Sequence, residues 1–285
     1  FKQDEDRYAF LLFYGGNYKD GYNYSTKLLQ ANPSNFTAQR YQFMNAAQDK
    51  DMADKLLPMA EALVAAHKSN PANKFAPIDY LLISEELTNA KRPQEAEALL
   101  VEAINDNPEN AAFYKQLAMT YVGENNLAKA ADTFQGYLQH SEKPGYNDFI
   151  QQATFAYYAG VENQKENPDA ANKYYDMALE YAAKGQEILP DNYKPIKFKG
   201  DVAKQKAAEN EVASIAVPFY TEAITLLEAS PNRARYNSDA KEMYNYMGNY
   251  YLDQKDVATA KSFFQKYLEL DPNNEAYRKF VEGLK

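Results

Sequence analysis

Residues 241–272, KEMYNYMGNYYLDQKDVATAKSFFQKYLELDP, constrain the fold of this chain more than any other stretch. Tyr244, Met247, Gly248 and Tyr251 recur at helical spacing, a short polar turn follows, and Ala260, Phe264 and Tyr267 then recur the same way. Pro272 ends the second helix, because proline cannot continue a helix and forces an extended residue before it. Two amphipathic helices with small residues at their crossing point form a hairpin that cannot bury its apolar face alone. Such a unit requires neighbours stacked on it.

The neighbours are marked by the same punctuation. Pro33, Pro71, Pro108, Pro144, Pro190 and Pro231 close comparable phrases, and with Pro272 they predict about seven helical hairpins. Two adjacent units, opening at Pro77 and Ala111, are spaced 34 residues apart (111 − 77). The first carries Tyr80, Ile83, Ser84 and Leu87, then Ala96, Leu100 and Ala103; the second carries Tyr114, Leu117, Ala118 and Tyr121, then Ala130, Phe134 and Tyr137. The unit at 36–73 is the most degenerate. The unit that opens at Tyr146 departs from the pattern. Roughly a dozen extra residues lie between Gly160 and Ala178, read as a lengthened turn around VENQKENPD with a second helix from Pro168 to Leu189. Insertions of this kind are common binding elements. The next unit carries a few extra residues around QKAAENEV. Sustained period-2 alternation is lacking, so no strand is expected.

With Tyr244 in the Trp place, residues 244–272 match the pattern W-x2-L-G-x2-Y…A-x3-F…P, and the chain resembles the tetratricopeptide repeat (TPR) family. The resemblance implies an all-α, right-handed superhelical solenoid of about seven TPR-like hairpins. The expected repeats are 2–35, 36–73, 77–110, 111–144, 146–192, 193–234 and 241–274, in one domain over 1–285, with 275–285 as a capping helix. It also implies a concave groove, lined by the first helix of each hairpin, where a peptide or partner protein binds. By family position the groove candidates are Tyr14, Lys115, Met119, Gln151, Thr154, Tyr157, Tyr158, Phe198, Tyr246 and Asn249, with Phe13, Ile150, Lys197 and Asp201 beside them. Tyr157, Tyr158, Phe198 and Tyr246 form the preferred patch, since rings supply anchors and neighbouring amides satisfy peptide groups. The family's clamp for chaperone C-terminal carboxylates is not assembled. Asn249 holds a suitable place, but Asn245 stands where Lys is needed, and Met119 replaces the Asn that should accompany Lys115.

Composition narrows the function from the other side. A formal charge of −9 argues against nucleic acid as partner, because phosphate binding requires a basic face. The absence of cysteine excludes disulfides, thiolate metal sites and a Cys nucleophile. No apolar run reaches the roughly 18–20 residues of a membrane span. The two histidines, His67 and His140, lie far apart at the ends of second helices and read as solvated or helix-C-terminal rather than metal-ligating. Glu85–Glu86 and Glu95/Glu97 read as exposed helix faces, and nucleophile and phosphate-loop motifs are missing. No catalytic, cofactor or metal residues are therefore expected. The abundance of Asn, Tyr and Lys resembles bacterial multi-repeat proteins of the cell envelope, which favours a periplasmic or envelope location. A chain opening at Phe1 is expected to be a processed or excised piece. The expected role is a non-catalytic scaffold for a protein or peptide; the alternatives are a module that stacks on further repeats or self-associates, and a regulatory domain of a larger enzyme.

Overall fold

In a computed structural model, described over residues 2–207 and 212–284, every regular element is a helix. Residues 208–211, at the centre of the QKAAENEV phrase, lie outside the described residues. The chain divides into two compact units, 1–141 and 142–285.

The first unit holds four hairpins: α1 (Lys2–Tyr14) with α2 (Tyr18–Ala31), α3 (Phe36–Ala46) with α4 (Ala53–Ser69), α5 (Pro77–Asn89) with α6 (Pro93–Asp106), and α7 (Ala111–Gly123) with α8 (Leu127–His140). In the second, α9 (Tyr146–Asn163) pairs with α10 (Pro168–Ile188). There α11 (Tyr193–Lys206) pairs with α13 (Val217–Ala229) past the short α12 (Val212–Ile215), and α14 (Asn237–Asp253) pairs with α15 (Val257–Leu270). A last helix, α16 (Glu275–Gly283), lies on the final hairpin, where Tyr277 stacks on Tyr267 at 4.2 Å and Val281 joins Ala260 and Phe264 in the core. Seven hairpins and a covering helix are thus present among the described residues, as the proline spacing implies.

Local chemistry explains the boundaries. The asparagines preceding α3, α7, α8, α10, α11 and α16 each accept a bond from a backbone N–H of the first turn, which satisfies donors the helix leaves free. Much of the Asn content is therefore capping. The turns inside four hairpins place one residue in the left-handed region, two positions before the second helix: Gly16, Lys91, Asn125 and Lys255. Only the first of these is a glycine, so a Gly-based search for the turn finds one case in four.

The helices of a pair approach closely where a ring meets a glycine. A Cβ on Gly200 would lie 2.7 Å from the Tyr220 ring, and one on Gly248 would strike Phe264, which is fully buried. This explains why the G-x2-Y…A-x3-F spacing identifies the fold: it places the packing aromatic opposite the gap.

The expansion at 161–177 differs from its sequence reading. The turn is only residues 164–167, and the extra length is helical: α9 and α10 have 18 and 21 residues against 13 and 14 in α7 and α8. The segment VENQKEN contains no glycine and several good helix formers, so the helices continue until Asn167 and Pro168 set a new start. Gln164 fixes the turn by accepting from Tyr175 Oη (3.1 Å) and donating to the Gln205 carbonyl of α11 (2.7 Å).

Candidate functional site

The groove candidates divide between the units. In the first, Tyr14 ends α1, largely exposed and in contact with Phe10 (4.4 Å between centroids). Lys115 and Met119 lie one turn apart on α7; the Lys115 ammonium sits over the Tyr137 ring at 4.8 Å, and Met119 is exposed. Phe13, expected on the groove, is instead core, packed with Ala9, Tyr41 and Met44. His67 stands in the last turn of α4, the helix-C-terminal place expected of it. It is half-buried and stacked on Phe75 (4.2 Å), with Nδ1 2.6 Å from the Asn73 carbonyl and Nε2 2.7 Å from Glu102, so it ties α4 to α6. His140 stacks on Tyr114 (5.2 Å). No group of three or more His, Asp or Glu suited to a metal occurs among the described residues. Of the acids expected on exposed helix faces, Glu95 is exposed and pairs with Arg92, while Glu97 is part-buried and accepts from Tyr121 Oη at 2.7 Å.

In the second unit three successive first helices converge on a cavity of about 250 Å³. α9 contributes Thr154, Tyr157 and Tyr158; α11 contributes Lys194, Lys197, Phe198 and Asp201; α14 contributes Asp239 and Glu242. Tyr157 is the hinge of the ring wall, edge-on to Tyr158 (5.2 Å) and to Phe198 (6.2 Å). Its hydroxyl accepts from Gln205 Nε2 at 3.3 Å, and burial pushes its pKa up. Tyr158, 50% exposed, is the outermost ring. Thr154 is turned back on its own helix, donating to the Ile150 carbonyl at 2.7 Å. Gln151 is half-buried one turn earlier, and Ile150 is core.

Tyr246 has a different role from the other patch residues. Its ring meets Tyr220 at 5.0 Å and its hydroxyl accepts from the Ala216 backbone N–H at 3.1 Å, so it secures the start of α13. Asn249 is exposed on α14 and donates to the Asn245 carbonyl.

Charge occupies the floor. The nearly buried Lys197 ammonium bridges Asp201 (2.8 Å) on its own helix and Glu242 (2.7 Å) on α14. Lys204 repeats the bridge at 3.7 and 3.2 Å, lying over the Tyr220 ring at 4.9 Å. Tyr220 donates to Asp201 at 2.5 Å. Burial opposes the Lys197 charge, but the carboxylates of Asp201 and Glu242 outweigh it and hold the pKa above the ordinary lysine value. Burial opposes Glu242 in the same way, and Lys197 and then Lys204 hold it below the usual glutamate range. Asp239, in the first turn of α14, accepts from Tyr193 Oη at 2.5 Å, and among the described residues no cationic side chain lies within ion-pair distance of it.

Of the residues expected by family position, Thr154, Tyr157, Tyr158, Lys197, Phe198 and Asp201 border this cavity; Lys194, Asp239 and Glu242 border it as well and were not expected, and Lys204 joins their charges from beside it. The i, i+4 spacing of Lys197 and Asp201 was the available signal for a charged helix face; the partners on α14 depend on how the hairpins stack. Among the described residues no helix is long and apolar enough to cross a membrane.

Comparison with known proteins agrees with this architecture. Residues 87–152 match one tetratricopeptide repeat family model, and residues 242–274 match a second. No curated protein matches the chain in sequence. The C-terminal part of a TPR repeat-containing protein from Cytophaga hutchinsonii is similar over 98% of this chain and 99% of that one, at 19% identity and a TM-score of 0.72. A looser likeness, TM-score 0.47 at 12% identity, is to a tetratricopeptide repeat protein from Parabacteroides merdae, covering 98% of this chain and 97% of that one.

Proposed function

The chain is a multi-repeat protein of the tetratricopeptide repeat family, and on that premise we propose that it is a protein-interaction scaffold that holds an extended segment of a partner against α9, α11 and α14. The repeats would act as one array over 1–285, with 146–242 as its recognition region. The observation that carries this reading is the lining of the 250 Å³ cavity: every lining residue comes from the first helices of three consecutive hairpins. A surface built from one helix per repeat suits a ligand that runs across the repeats. The ring wall offers apolar anchorage and the charged floor offers specificity, the combination found where a few residues carry most of the binding energy.

The test is selection of a random peptide library on the folded chain, followed by affinity measurement on synthesised binders. Tyr158→Ala should weaken binding about 30-fold, the effect of losing an aromatic anchor worth roughly 2 kcal/mol. Circular dichroism should stay unchanged, because the ring is half exposed. Undiminished affinity in that variant would remove the site from α9.

A further inference from the structure

We infer that the partner segment delivers a lysine or arginine side chain into the α9–α11–α14 cavity, an inference that rests on the peptide-binding reading above. At about 250 Å³ the cavity is below the ~300–1,000 Å³ of sites that enclose a whole small molecule, and it suits a single long side chain. Among the described residues two of the charges that line it lie outside ion-pair distance of an opposite charge, Asp239 and Lys194. Lys197 has both Asp201 and Glu242, and Glu242 has a second lysine in Lys204. Among the described residues Asp239 has only the neutral hydroxyl of Tyr193. It stands in the first turn of α14, at the positive end of that helix's dipole. A negative charge without a cation therefore borders the same cavity as the rings of Tyr157, Tyr158 and Phe198.

Both features select the same ligand chemistry. Aromatic faces attract ammonium and guanidinium groups, and the aliphatic stem of Lys or Arg packs on rings while its head reaches a carboxylate. An acidic side chain reaching Asp239 would meet a like charge instead. A neutral apolar one would fill the wall and leave Asp239 further desolvated without a counter-charge. The chain's net charge of −9 adds long-range attraction for a basic segment. Lys194 also borders the space, with its ammonium over the Tyr236 ring at 5.9 Å, and a basic ligand group has to lie nearer Asp239 than Lys194.

The experiment uses the full chain and the same random library of capped peptides. Selected sequences should share Arg or Lys at one position, and replacing that residue by norleucine should weaken binding roughly tenfold. Asp239→Asn keeps an acceptor for Tyr193 and removes the charge, so it should abolish most of the difference between the basic peptide and its norleucine analogue. Lys194→Met should tighten the basic peptide by removing a like charge. Selection of acidic or purely apolar residues at the anchored position, or a basic preference that survives Asp239→Asn, overturns the inference while leaving peptide binding intact. Failure to enrich any sequence, or binders indifferent to Tyr158→Ala, overturns the peptide reading and this inference with it.

Discussion

Each unit buries charge between the first helices of neighbouring hairpins, and the two do so differently. In the first, Arg40 on α3 meets Asp79 on α5 at 2.6 Å; Asp79 is wholly buried and also caps α5 by accepting from the Ala76 N–H at 2.7 Å. One acid depends on one cation. In the second, Asp201 and Glu242 each draw on both Lys197 and Lys204, and Tyr220 adds a hydroxyl to Asp201. A singly paired buried charge fixes the register of two helices and tolerates no loss. A redundantly paired cluster can border a cavity, since no member is stranded when one contact is exchanged for a ligand's.

The sharpest way to break this comparison is to remove one cation from each. Arg40→Met leaves Asp79 buried without its partner and should cost about 3–5 kcal/mol of stability. Lys197→Met leaves Asp201 and Glu242 bound to Lys204, and Asp201 to Tyr220; the loss should be about 1–2 kcal/mol. Urea unfolding followed through amide signals of α5 and α14 separates the units. Equal losses would show that the redundancy in the second unit has no energetic content.

Little of this contrast was legible in the sequence, although the hairpins were. Prolines and the small-residue spacing are local signals, and they located the helices because helix ends and crossing points depend on nearby residues. Arg40 and Asp79 are separated by a whole hairpin, and nothing around either identifies the other. Lys197 and Asp201 share a helix face and could be placed on the groove, whereas Glu242 reaches them only through the stacking of α11 on α14. Tyr246 shows the opposite limit. It was expected on the groove from its helix position, but the Ala216 N–H at the start of α13 donates to its hydroxyl, so the ring works in the packing of α13. Equivalent family positions fix the face a side chain leaves from, not the neighbour it meets.

Acid should act on the two clusters with opposite sign. Burial outweighs Arg40 and holds Asp79 above the ordinary aspartate range. As the pH falls, the folded state binds that proton first. Its contribution to stability therefore grows as the pH drops through the raised folded value, and is fully present below the unfolded value near 3.9. Glu242 is held low, so the unfolded chain binds its proton first, near pH 4.3. Its contribution is fully present above that pH and is lost as the pH falls through the folded value. Glu228, also held low by Lys266 and Tyr244 against the cost of burial, adds to the loss in the second unit. Repeating the urea experiment from about pH 6 down to 3.5 should show α14 weakening relative to α5. Glu242→Gln should flatten the acid limb at α14, and Asp79→Asn should remove the opposite slope at α5. Parallel slopes in both variants would mean that the two acids titrate alike and that burial does not dominate at Asp79.

The smallest effect concerns a neutral contact between hairpins. Thr88 on α5 and the buried Thr120 on α7 approach to 3.2 Å, while each hydroxyl also lies within bonding distance of a carbonyl of its own helix: Ser84 at 2.8 Å for Thr88, and Gln116 at 3.2 Å for Thr120. Thr120→Val removes one hydroxyl but strands nothing, because Thr88 keeps Ser84 as acceptor. The loss should be about 0.5–1 kcal/mol, the net worth of an ordinary hydrogen bond. Like Arg40–Asp79 this contact joins first helices of the first unit, so location is held roughly constant and only charge differs. If Thr120→Val costs as much as Arg40→Met, the determinant is packing between hairpins and not the desolvation of a single acid, and the distinction between the two buried clusters would have to be drawn from their cavities instead.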